Sequence, residues 1–193
     1  ASADDAVLRE RIESRLKKAK VEQAGEVKVE VHDGRAVLDG AVTSLEAQRA
    51  AEKAARKEVK QVDNRIRVYP EERKDADIRK DASNAILSYA WYSIFDSVEM
   101  GVEDGVVVLK GSVNQPYRKT DIEERVAHVR GVRAIHSDIQ VQSASLFDDR
   151  LRRQVARAIY GDQRFVQYAH RADPPIHIIV DRGRITLTGY VSS

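Results

Sequence analysis

The sequence predicts an α+β protein of tandem αββαβ units, each a small mixed three-stranded sheet covered on one face by two helices. Three observations predict it. First, VEVHDGRAVLDGAV from Val29, GVEDGVVVLKGSV from Gly101 and IIVDRGRITLTGYV from Ile178 read in parallel. Each holds a turn glycine and a second glycine six residues on: Gly34/Gly40, Gly105/Gly111 and Gly183/Gly189. Second, an amphipathic helical stripe precedes each segment. Third, the first two segments are followed by a second helical stretch and one more strand.

In order, Leu8, Ile12 and Leu16 recur every four residues and mark the first helix. Asp4 and Asp5 before it read as N-capping acids with favourable charge at a helix start. Val27, Val29 and Val31 alternate with Lys28, Glu30 and His32, as in a half-buried strand. Asp33-Gly34 suits a tight hairpin turn, and Leu38, Gly40 and Val42 share the returning strand's apolar face. The second glycine is expected to let a helix backbone approach closely. Ser44 to Val59 is rich in helix formers, and VDNRIRV ends a last strand at Val68. A strand–helix–strand crossover of this length favours a parallel pair.

The second unit repeats this with Ile78, Ala82 and Ile86, then Val98, Met100 and Val102, then Leu109, Gly111 and Val113. Asp75 and Asp77 stand at its helix start, Asp104-Gly105 at its turn and Pro116 in its second helix's first turn. IHSDIQV closes it at Val141. The third unit has Asp148-Asp149, the stripe Leu151, Val155 and Ile159, and strands from Ile176 to Val191. Arg182-Gly183 leaves its turn type open. The expected units are 1–72, 73–143 and 144–193. The third is incomplete, since the sequence stops at Ser193 without a second helix and third strand. Its apolar face calls either for further chain or for cover by another molecule.

These frames resemble the BON domain, known from bacterial envelope proteins that include osmotically inducible periplasmic ones. The middle frame is carried by Val29–Val42, Gly101–Val113 and Ile178–Val191. The closing frame is carried by Val59, Val62, Asn64, Ile66 and Val68, and again by Gly131, Val132, Ile135, Ile139 and Val141. Glu58 stands where the family has Gly, and Ser137 where Asn is usual. The resemblance implies a binding module without catalytic residues, most often linked to phospholipid or envelope surfaces.

Composition and motifs exclude other classes. There is no Cys, hence no thiol nucleophile, disulfide framework or Cys-type zinc site. The five histidines, His32, His128, His136, His170 and His177, show no metal-ligand spacing and read as surface residues. No nucleophile elbow, P-loop or dinucleotide fingerprint occurs, so neither an enzyme nor a cofactor is expected. A net charge of +2 and the absence of a G-x-x-G clamp argue against nucleic acid. No apolar run reaches membrane-spanning length. The resemblance above all implies an exported, periplasmic or envelope-associated protein; Ala1 and Ala3, similar to the small residues of a signal-peptide cleavage region, agree with it without establishing it.

Two features are candidate contact surfaces. Residues 146–193 hold 8 basic residues, all Arg, against 5 acidic ones. Arg150, Arg153 and Arg157 recur on one helix face away from the apolar stripe, as a surface for anionic lipid headgroups would. The other is YAWYSIFDSVEM, Tyr89 to Met100, with the only Trp and the only Met. Tyr89 continues the core stripe. Leu87, Trp91 and Phe95 form a second line spaced by four, with Tyr92 between. Either the helix ends near Tyr89, or this line faces a partner. Core lining, a contact between repeats and a lipid-facing patch all fit these aromatics. The expected partner is an anionic phospholipid surface. The alternative is a structural or protein-interaction scaffold, binding envelope proteins or its own copies through the incomplete third repeat.

Overall fold

The computed structural model describes residues 2–192. Ala1, part of the expected cleavage region, and Ser193 lie outside the described residues. Helix α1 (Ala3–Lys18) starts at Ser2, whose side chain and that of Asp5 form a reciprocal capping box. Ile12 and Leu16 are buried along its inner face. A single 3-10 turn, Val21–Gln23, leads into β1 (Gly25–His32), which pairs antiparallel with β2 (Arg35–Val42). Helix α2 (Leu45–Arg56), capped by Ser44, returns the chain to β3 (Gln61–Val68), parallel to β2. The central strand is therefore β2. Its Ala36, Leu38 and Val42 are buried, as are Ala51, Ala54 and Ala55 of α2.

The order then repeats as α3 (Asp75–Leu87), β4 (Ser97–Glu103), β5 (Val106–Val113), α4 (Pro116–Ala127) and β6 (Ala134–Val141). The second sheet has the same order, β4-β5-β6. Ile78, Ala82 and Ile86 are all buried, as the stripe predicts. Last come α5 (Leu146–Tyr160), the short α6 (Val166–Ala169) and the antiparallel pair β7 (Ile176–Asp181) and β8 (Arg184–Gly189). The chain forms two compact units. One gathers the residues up to Ile78 with Asp104–Val106 and Ala127–Ala134, and the other gathers the rest. The aromatic segment, α5 and the third hairpin all belong to the second unit.

Three local readings gain detail or change. One acid at each helix start does more than the expected capping, which Asp5 performs at Ser2: it clasps the hairpin turn. Asp5 accepts from the backbone N–H groups of Asp33 (3.2 Å) and Gly34 (3.0 Å). Asp75 does the same for Asp104 (2.9 Å) and Gly105 (3.0 Å), and Asp148 for Arg182 (2.8 Å) and Gly183 (2.9 Å). Capping by hydroxyl falls to Ser2 and Ser145. The third turn has the geometry of the other two. Arg182 and Gly183 have φ 49° and 76°, against 50° and 73° at Asp33-Gly34 and 48° and 74° at Asp104-Gly105. Two successive positive φ values are those of a type I′ hairpin turn. The second glycine serves a strand, not a helix. At Gly40, Gly111 and Gly189 a Cβ would lie 2.1, 2.0 and 1.7 Å from the carbonyl oxygens of Glu26, Ser97 and Pro175, on the opposite side of each hairpin. These glycines also have φ of 139°, 123° and 119°, which disfavours any other residue.

Candidate functional site

Helix α3 ends at Leu87, so the line Leu87, Trp91, Phe95 is not carried on one helix. The segment after it divides. Tyr89 is buried, and its hydroxyl donates to Asp121 on α4. Burial and this carboxylate push its phenol up to about 12. Tyr92 turns toward the third repeat: its ring centroid lies 5.7 Å from that of His177. Its hydroxyl accepts from Val98 N–H at 3.1 Å, and burial pushes it up to about 12. Phe95 is half-buried, and its carbonyl accepts from Gln142 Nε2 at 2.8 Å. Leu87 and Trp91 face outward, 50% and 61% exposed.

The neighbouring residues join the second repeat to the third. Ile178 N–H donates to the carbonyl of Ile94 at 2.6 Å, and Ser97 and Thr188 hydroxyls meet at 3.1 Å. His177 Nδ1 lies 2.5 Å from the carbonyl oxygen of Asp96. His177 is therefore not the surface residue its place in the strand suggests; its side chain is 14% exposed. The Asp96 carboxylate is fully buried and accepts from Arg118 Nη1 (2.8 Å), Ser93 N–H (2.9 Å) and Asn114 N–H (2.7 Å). Arg152, buried on α5, donates to the carbonyl of Val180 (2.6 Å), to Gln142 (3.2 Å) and to Asp149 (2.6 Å). Such a buried guanidinium is held by its acceptors and is unsuited to meeting a ligand.

The other face of α5 is open. At about 100° per residue, Leu146, Arg150, Arg153 and Arg157 fall within roughly 60° of arc. Asp148, Arg152 and Val155 lie on the opposite, packed side. Arg150, Arg153 and Arg157 are all exposed, and none makes an ion pair among the described residues. Leu146 is 79% and Phe147 63% exposed. Phe147 stands by the hairpin turn: a Cβ on Gly183 would be 3.6 Å from its ring. Arg182 and Arg184, both exposed, flank that glycine. Sequence reasoning missed Leu146 and Phe147. Aligning the units on the clasping acid exposes them, because the equivalent pairs are Ala3-Asp4 and Arg73-Lys74. The same alignment sets Arg182 against Asp33 and Asp104.

Among the described residues no His, Asp or Glu cluster is arranged to hold a metal, and no helix is long and apolar enough to cross a membrane. The family model for the BON domain matches residues 4–70 and 74–143. A search of curated proteins returns no significant match. Solved structures similar to this chain include two of CdsD, a structural protein of the type III secretion system of Chlamydia trachomatis. One, of its C-terminal domain, is 13% identical over 72% of this chain and 67% of that one, with a TM-score of 0.31. The second is 14% identical over 77% and 68%, with a TM-score of 0.34.

Proposed function

This chain belongs to the BON domain family, which supports a binding module of the cell envelope, and on that premise we propose that it associates, without catalysis, with anionic phospholipid membranes. The carrying observation is the open face of α5. Three arginines without an ion pair among the described residues extend from an exposed Leu146, with Phe147 beside them and Arg182 and Arg184 at the adjoining turn. Guanidinium groups would meet headgroup phosphates while the two apolar side chains enter the interface. Leu87 and Trp91 offer a further apolar contact of the kind the bilayer interface accepts.

Sedimentation with vesicles of graded anionic content tests this. Binding should rise with the anionic fraction and fall with salt. Each charge near the surface contributes about 1 kcal/mol, so Arg150→Gln with Arg153→Gln should weaken binding by about thirtyfold. A folded protein that ignores strongly anionic vesicles at low salt would sink the reading.

A second reading, a protein-interaction scaffold, is favoured by β8. Ile185 and Leu187 are 44% and 54% exposed, whereas their counterparts Ala36, Leu38, Val107 and Leu109 are all 0% exposed. It would prevail if the protein ignores vesicles and Leu187→Glu abolishes capture of one specific protein.

A further inference from the structure

A groove of about 570 Å³ opens between α5, α6 and the segment at Ile94. That size is in the range of small-ligand sites. Its walls are apolar: Ile94, Ala156, Ala169 and Pro174, with the ring of Tyr160. The Tyr160 hydroxyl is already committed, donating to the carbonyl of Ile176 at 2.5 Å and accepting from its N–H at 3.2 Å. The ring is what remains for a ligand. One charged residue lines the groove, Arg157, which is exposed and makes no ion pair among the described residues. An apolar trough with a single unpaired cation matches a molecule with one hydrocarbon chain and one anionic head.

We propose that this groove binds a single-chain anionic amphiphile, its hydrocarbon tail along Ile94, Ala156 and Tyr160 and its head group on Arg157. The site holds one monomer and does not require the protein to be on a membrane. It deepens the lipid reading through Arg157, which both sites share, but Ala169 belongs to the groove alone.

Sodium dodecanoate, kept well below its micelle concentration, is the probe, with titration calorimetry as the readout. Wild-type protein should bind it saturably at one molecule per chain. Dodecyltrimethylammonium, with the same tail and a cationic head, should not bind. Arg157→Gln should weaken dodecanoate by about tenfold, the loss expected for one charge-assisted contact. Ala169→Phe fills the groove from an exposed position, so melting should hold while dodecanoate binding is lost. Absence of saturable binding to wild type, equal binding of the cationic amphiphile, or unchanged affinity in folded Ala169→Phe overturns the proposal. Vesicle sedimentation separates the two readings. Vesicle binding without dodecanoate binding removes the groove and leaves the membrane surface. Dodecanoate binding without vesicle binding does the reverse.

Discussion

Asp5 shows what a single side chain does in this fold. Its carboxylate accepts from Gly34, Ser2 and Asp33 backbone N–H groups, and the Gly34 bond leads in holding it down to about 2 from an ordinary 3.8. A depressed carboxyl adds stability that is complete above pH 4 or so and is lost as the pH falls towards 2. Acid titration of melting temperature should therefore show a fall in that window for wild type, and a shallower one for Asp5→Asn. An acid at a helix start is legible in sequence, but its partner lies 28 residues on and periodicity carries no sign of it. The second glycine was half legible for a similar reason. Alternation put it on the apolar face, while its positive φ and the facing carbonyl exist only once two strands pair. Gly111→Ala should cost about 1–3 kcal/mol in denaturant unfolding. Ser137 is a smaller case. Its hydroxyl is buried without a hydrogen-bond partner among the described residues, whereas Asn64, its counterpart, donates to Glu52 at 3.0 Å. Glu123 occupies the place of Glu52, so Ser137→Asn should raise stability by about 0.5–1.5 kcal/mol.

Among elements, the helix and strand frame follows closely from the sequence because each repeat states its own period. The stripe Ile78, Ala82, Ile86 is buried along α3, and β2 and β3 pair in parallel as the crossover requires. The stretch after α3 was legible only as alternatives, of which the helix ending near Tyr89 is the one observed. A spacing of four suits a helix, yet α3 stops at Leu87 and the next residues serve different neighbours. Tyr89 reaches α4, Tyr92 packs by His177, and Trp91 is left outside. Truncation should separate these roles. Trp91→Ala should leave melting within about 0.5 kcal/mol of wild type, as at an ordinary surface position, while Tyr92→Ala should cost about 1–3 kcal/mol. Equal losses in thermal unfolding would contradict this division. The arginine face of α5 was legible as a line of charge. The apolar pair at its head was not, because single exposed apolar residues have no signature until burial is known.

Across the whole molecule, charge is uneven where contact is proposed. Residues 74–145 hold 9 basic and 11 acidic residues, whereas 146–193 hold 8 and 5. The positive excess sits with the exposed Leu146 and Phe147, so vesicle association should be driven from this end. Charge reversal by Arg182→Asp, which restores the residue type of the other two turns, should weaken vesicle sedimentation without altering the type I′ hairpin. The clasp between helix start and hairpin turn has a consequence for how the chain acquires its structure. Each clasp spans only 28 to 35 residues of sequence, so ring closure is entropically inexpensive and needs nothing from a neighbouring repeat. Short sequence separations favour fast folding. A nascent chain can thus complete one helix–hairpin knot before the next has left the ribosome.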